Sequence, residues 1–574
     1  MKNFKFRKLI CLLLVLVTAF AFTACDKTPS GGTGGDSTIT DGDGNGGGSS
    51  GNETHAHKYV LVRSIKATCT EAGRAYYYSC ECGKIFKKTG DDYVETTIDE
   101  LYVAPLGHTY TAETVGEAYL VSEATADTPR VYKKSCVRCG KISENAGDTF
   151  TYGKNLTYYE SVDKAKYTPS NLTVSLFDAE NCVYGFTWNT LIEPARPVIT
   201  LKNLNTNEET VVHASVSESD SQDYKNDSKI TFYTCKATAA LTPGAVYEYA
   251  VSDVYVGVAL DIAEIKAVNP ETTGAWKFVH VSDSQVEGSK ADGGVGTGAP
   301  FQKVLKSVVE QGDVDFIVHT GDVVEYSMYQ SYWNAMIGDN FAYLSKIPVM
   351  AISGNHETNY KNGSNETFER FNYKLPEQDT KDGIYYSYSY GGVKFIMLNE
   401  NVNGGTISSA QYKWLENELK NKTEKWTVVA MHNPMYSAGK WGPSGASFKN
   451  QVQGLFAEYG VDIVLQGHDH IVSATKPLDG TGKAVENAAT VSEGGVEYYT
   501  DPDGVIYVMN GPGGNQSRNC VDTYEKDLFK YAISAKTCSW AEFSVDGDKI
   551  TVTVKTAASG TASVITTWGI KKTA

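Results

Sequence analysis

Between about Tyr152 and Val268, apolar and polar residues alternate along short stretches: "NLTVSLFD", "CVYGFTWNT", "PVITLKNL" and "KITFYTCKATA". Clusters of Asn, Asp, Ser and Gly separate them. A period of two between turn residues predicts strands with one buried face, hence an all-β layer. After Gly274 the texture changes. "PFQKVLKSVVEQG" carries Phe301, Val304, Leu305 and Val308 at helical spacing. "SSAQYKWLENELKNK" opens with Ser408 and Gln411 as a capping box and sets Tyr412, Leu415 and Leu419 on one face. "SFKNQVQGLFAEYG" groups Phe448, Val452, Leu455 and Phe456. Apolar strands alternate with these helices, so an α/β layered fold is expected after the all-β part.

The first 150 residues follow neither pattern. A basic "MKNFKFRK" leads into the apolar "LICLLLVLVTAFAF", which is short for a membrane span and reads as an export signal. Small residues before Cys25 resemble a bacterial lipobox, which implies a lipid-anchored protein at the cell surface; plain secretion is the alternative. Residues 26–54 are rich in Gly, Ser and Asp with almost nothing to bury, a flexible tether. Residues 55–150 contain a weak duplication. One copy starts at His57 and the other at His108, and each ends in "SC…CGKI". Both resemble short Cys-containing repeats of Gram-positive surface proteins, which makes cell-envelope components candidate partners. His57, Cys69, Cys80 and Cys82 could bind zinc, with His108, Cys136 and Cys139 remaining in the second copy. Disulfide-stapled modules are the equal alternative in an oxidising compartment.

A chain of 574 residues predicts about three or four domains. The expected division is 1–25 signal, 26–54 linker, 55–150 repeats, 151–270 β-sandwich and 271–574 α/β domain. A formal charge of −16 without a basic stripe excludes a nucleic-acid backbone as main partner. Any anionic substrate would therefore need positive charge supplied locally.

The strand ends carry the candidate chemistry. "WKFVHVSDSQ" ends at Asp283, "FIVHTGD" at Asp322, "PVMAISGNHE" at Asn355, His356 and Glu357, "WTVVAMHNP" at His432, and "VDIVLQGHDH" at His468 and His470. Open α/β folds place ligands at the carboxyl ends of strands. One Asp closing a strand is a turn residue; five such ends form a site. Carboxylates and imidazoles together suit Mn, Fe or Zn, and a bridging carboxylate lets the set hold two ions.

In this order, "SDSQ", "GDVVE", "GNHE", "MHNPMY" and "GHDH" resemble the calcineurin-like metallophosphoesterase superfamily. "WTVVAMHNPMYS", "YVMNGPGGN", the preceding β region and the terminal "VITTWGIKK" are most similar to its purple acid phosphatase branch. The resemblance spans about Tyr152 to Ala574. It implies a two-sheet sandwich flanked by helices, preceded by an immunoglobulin- or fibronectin-like sandwich in which Trp188 is central and Cys182 and Cys235 are possible disulfide partners. It also implies two divalent or trivalent ions (Fe, Mn or Zn) and a small phosphorylated substrate.

By the same resemblance, Asp322 bridges the ions, Asp283 and His470 hold the first, and Asn355, His432 and His468 hold the second. Hydroxide between the ions attacks phosphorus, His356 protonates the leaving oxygen, and Glu357 orients His356. Gln285 stands where most of the superfamily has His, and Glu325 where the purple branch has Tyr, so either side chain could complete the first shell. Lys440 and Trp441 in "SAGKWGPSG", and the stretch "ETNYKNG", are candidate substrate contacts. The expectation is a monoesterase. A phosphodiesterase or nucleotide hydrolase on the same site, and a surface-binding protein with a vestigial domain, are the alternatives. Cys520 and Cys538 could clip a loop.

Overall fold

The computed structural model describes residues 57–89, 92–285, 298–358, 369–376, 384–401, 405–442, 446–557 and 562–573. The signal segment, Cys25, the linker and most of "ETNYKNG" lie outside them. No described helix is long and apolar enough to cross a membrane. The chain divides into two compact units at His108/Thr109.

The first unit has a four-stranded sheet ordered 60–62, 77–79, 85–89, 92–96, and a two-stranded ribbon of 73–74 with 102–103. His57, Cys80 and Cys82 gather there. Cys69, expected with them, is not in that group. Main-chain bonds from Leu106 to Thr68 and from Gly107 to Cys69 dock its turn on the segment leading to His108, and its Sγ lies against that imidazole.

In the second unit, alternating stretches between 170 and 266 form the strands of two facing sheets. One sheet runs 170–178, 183–190, 229–240, 215–222; the other has 197–203 and 246–253 at its centre. Trp188, Phe186, Leu176, Tyr249 and Val251 fill the space between them. Cys182 and Cys235 are thiols, not a disulfide. The register explains why: Cys235 lies opposite Trp188, whereas Cys182 meets Leu241. Six residues of strand, about 20 Å, separate the two positions, against a disulfide reach of about 7 Å between Cα atoms. Cys520 and Cys538 are thiols as well, Cys538 bonding the Pro300 carbonyl.

The α/β region forms two facing sheets. One runs 349–351, 316–319, 276–281, 539–546, 549–556, 563–571, 496–500, 490–493; the other runs 386–390, 393–397, 426–430, 463–466, 506–510, 472–475, 529–533. Strands 276–281, 316–319 and 349–351 are mutually parallel, as are 393–397, 426–430, 463–466 and 506–510. The carboxyl ends of both parallel sets meet at one end of the sandwich. The predicted helices form at Ala299–Gln311, Ser409–Lys420 and Ala446–Glu458. Ser408 caps the second by accepting from the Gln411 amide. The Gln411 side chain does not complete the capping box; it clamps both main-chain polar groups of Asn399.

The β-sandwich shares a continuous apolar core with this region. Arg370, fully buried, donates to Asn189 of the sandwich and to Gln330, with its guanidinium over Phe232 and Trp333. The sandwich is thus built into the scaffold of the site rather than strung beside it.

Candidate metal centre

Asp283, Asp322 and Asn355 leave one sheet, and His432, His468 and His470 leave the other, each within a few residues of its strand. Ligand atoms of Asp322, His432 and His468 lie within 4.8 Å of one another, and so do those of Asp283, Asp322 and His470. Asp322 is common to both groups. Asn355 joins the first group through Oδ1, 3.1 Å from His432 Nε2 and 2.8 Å from His468 Nδ1. All six residues expected as the core ligand set therefore converge.

The backbone is bent to achieve this. Asp283, Asp322, His468 and His470 have φ between 51° and 74°. Each such left-handed residue costs about 1 kcal/mol or more, and that strain persists where the surroundings over-determine it. Two tight contacts show how. A Cβ on Gly354 would lie 2.1 Å from Asp322 Oδ1, and one on Gly514 would lie 2.3 Å from the Gln285 carbonyl. Gly513 and Gly514 donate to the Ser282 and Asp283 carbonyls, pinning the "GPGG" loop onto the Asp283 turn.

Carbonyls orient the imidazoles. His432 donates from Nδ1 to Thr320 O at 2.7 Å, and His470 from Nδ1 to Gln516 O, which leaves each Nε2 as the ligating atom. Although burial opposes it, Asp322 and Asp283 hold the His432 imidazole up to about 10. Burial and His432 push His468 down to about 3. A cavity with two fully buried aspartates and a strong pull on any nearby proton is one that a cation suits. The hard oxygen and imidazole donors fit Mn, Fe or Zn.

Gln285 is fully buried between Asp322 and His470. With its amide turned so that nitrogen donates to the Asp322 and Asp283 carbonyls at 2.9 and 3.2 Å, its oxygen faces the carboxylate and His470 Nε2. In that orientation Gln285 offers an oxygen to the first group. Glu325 belongs to neither group. Its carboxylate accepts from Gln516 Nε2 at 2.6 Å and stands 3.8 Å from His356 Nδ1, so it faces the proton-donor side of the site.

His356 donates from Nδ1 to the Glu325 carbonyl at 2.6 Å and sets Nε2 3.8 Å from Asp322 Oδ2. Burial opposes protonation, but Asp322 and Glu325 raise its pKa above the ordinary value. Glu357 does not reach His356 through its carboxylate. That group is fully buried and accepts four main-chain N–H bonds, from Asp322, Val323, Val324 and Gly354. Its role is to clamp the Asp322 turn to the Gly354 turn. Burial and Asp322 push its pKa up to about 7.

Three polar groups missing from the sequence reading also surround the site. Glu400, fully buried, accepts from the His432 and Asn433 amides with Oε1. Its place after the parallel strand Val393–Met397 was the available signal. Asp469, between the two site histidines, accepts from Ser437 Oγ and the Trp441 amide. Arg518 donates to the His468 carbonyl at 2.8 Å and lies 5.7 Å from the Trp441 ring, with Lys440 Nζ 4.7 Å from the same ring. No pattern in the sequence marked Arg518.

Residues 277–472 match the family model described as calcineurin-like phosphoesterase. Purple acid phosphatase 15 of Arabidopsis thaliana is 31% identical over 205 residues, 34% of either chain. Acid phosphatase type 7 of Mus musculus is 27% identical over 238 residues, 37% of this chain and 50% of that one. The chain thus spans a third to a half of the length of these curated relatives. The solved purple acid phosphatase PPD1 from yellow lupin seeds superposes with a TM-score of 0.59 at 17% identity, covering 71% of this chain and 75% of that one, a likeness of fold. With the strand-end cluster in place, residues 277–472 are similar to calcineurin-like phosphoesterase domains, and to the purple acid phosphatases among them.

Proposed function

We propose that the protein is an exported, lipid-tethered phosphoesterase that hydrolyses small phosphate monoesters with two metal ions. The observation that carries this reading is that one carboxylate, Asp322, is shared by two compact ligand groups. Asp283, Asp322, His470 and the Gln285 oxygen would hold one ion; Asp322, Asn355, His432 and His468 would hold the other. Bound there, the ions supply Lewis-acid polarisation and the positive charge that a chain of net charge −16 otherwise lacks for a phosphate.

The chain's own residues do the rest. His356, with Nδ1 fixed on a carbonyl and its pKa raised, presents Nε2–H for the leaving oxygen. Glu357 and Gly354 hold the Asp322 and Asn355 turns in register, and Glu400 fixes the His432 turn. Arg518, beside His468 and Trp441, supplies a fixed cation for a phosphate oxygen at the mouth. The export signal and Cys25 support a cell-surface location, and the Gly/Ser-rich stretch supports a tethered one.

The test is hydrolysis of a chromogenic phosphate monoester and diester by the chain without its first 25 residues, loaded with Mn, Fe or Zn. Monoester turnover abolished by Asp322→Ala is the expected result. Preference for the diester would move the reading to a phosphodiesterase, and a folded protein inactive with every metal would sink it.

A further inference from the structure

The first unit, considered alone, has too little core to explain its fold. Among its described residues the buried apolar side chains are Cys69, Cys80, Phe86 and Leu101, while Leu61, Ile65, Val94 and Tyr102 are more than half exposed. Domains this small with so few buried groups usually need a staple such as a disulfide or a metal. Cys80 and Cys82 are thiols.

The side chains supply the other kind of staple. His57 Nδ1 lies 3.2 Å from Cys80 Sγ and 3.5 Å from Cys82 Sγ, and the three ligand atoms fall within 4.8 Å of one another. Tetrahedral zinc with Zn–N near 2.05 Å and Zn–S near 2.3 Å sets nitrogen and sulfur about 3.6 Å apart. The ligands therefore stand near that separation. A turn holds both thiols on one side: the Gly83 amide donates to Cys80 O, the Cys80 amide donates to Lys84 O, and Gly83 has φ of 85°. The imidazole rests on buried Phe86, ring centroids 4.8 Å apart, and Tyr59 packs on Phe86 and stacks on Tyr93.

We propose that His57, Cys80 and Cys82 bind one zinc ion that organises residues 57–108. Two thiolates and an imidazole select a borderline-soft ion over Mn or Mg, which separates this site chemically from the oxygen-rich cluster of the α/β domain. Among the described residues of this unit, three side chains supply ligands to the ion. The inference is independent of the phosphoesterase reading.

The experiment uses the chain from residue 26 onward, with zinc counted per chain and cobalt(II) as a spectroscopic probe. A thiolate–cobalt charge-transfer band in the near ultraviolet marks cysteine ligation, which the oxygen- and imidazole-lined cluster cannot produce. Cys82→Ser and His57→Ala are each expected to lower zinc by one per chain and to weaken the band. Cys82→His is expected to restore the zinc without restoring the band. Cys82 is exposed, so the two Cys82 changes leave packing intact, whereas His57→Ala also removes the ring that rests on Phe86. Chelation is expected to open residues 57–108 to protease in the wild type. Unchanged zinc content with superimposable cobalt spectra in the wild type, Cys82→Ser and His57→Ala would overturn the proposal, as would a wild-type chain without the band.

Discussion

Replacing Glu357 by glutamine tests whether this residue builds the metal centre or assists His356. Its Oε1 accepts from Val323 at 2.9 Å and Val324 at 3.2 Å, and its Oε2 from Asp322 at 2.9 Å and Gly354 at 2.7 Å. In Glu357→Gln one oxygen becomes an NH2 group. Whichever way the amide turns, two buried main-chain N–H groups lose their acceptor and face a donor. At about 1–3 kcal/mol for each unsatisfied donor, the loss is ~2–6 kcal/mol, a large share of a typical stability of about 5–15 kcal/mol. Glu357→Ala orphans all four donors and is expected not to fold, which makes glutamine the informative change. Because the orphaned donors belong to the turns that carry Asp322 and Asn355, metal affinity is expected to fall about 10–100-fold. The assay combines thermal unfolding, metal content after dialysis and monoester hydrolysis, with a fall in Tm of about 2–6 °C expected for a unit of this size. A variant with wild-type Tm and full metal content, altered only in its pH–rate profile, would refute the clamp and restore a role through His356.

Other expectations follow from the same geometry. Gln285→Leu removes the oxygen facing Asp322 and His470, so the metal held by the strand-end cluster should fall from two ions towards one; two ions still tightly held there would show that Gln285 is not a ligand. Gly354→Ala sets a methyl 2.1 Å from Asp322 Oδ1 and should lower metal affinity at least about tenfold in a folded protein, as read by metal titration. His280 is buried, accepting from Asn510 at Nδ1 and donating to Thr320 from Nε2; burial pushes its pKa down to about 3. Its folded pKa is below the unfolded value of about 6.5, so under pH 6.5 the unfolded chain binds the extra proton. Stability should then fall by about 1.4 kcal/mol per pH unit until about pH 3. His280→Gln should flatten that slope by one proton in urea unfolding between pH 4 and 6, and an unchanged slope would count against it.

The strand-end ligands were legible because their signal is local: an apolar run that stops at Asp283, Asp322, Asn355, His432 or His468. The role of Glu357 was not, since its partners are main-chain amides, some of them 33–35 residues away, and main-chain amides leave no mark on side-chain sequence. Arg518 was invisible for a similar reason, being one cation in a loop that reaches His468, 50 residues away, only once strands 463–466 and 506–510 pair.

The sequence by itself determined the order of layers, the helices and which strand ends carry candidate ligands, because hydrophobic periodicity and residue chemistry are properties of short stretches. Only the tertiary structure decided which side chains share a site. Register keeps Cys182 away from Cys235, and the docking of residues 106–107 on 68–69 draws Cys69 away from His57 and towards His108. Convergence of two parallel strand sets makes Asp322 common to two ligand groups. These are distances between residues far apart in the chain, fixed by packing and main-chain hydrogen bonds, and no local pattern encodes them.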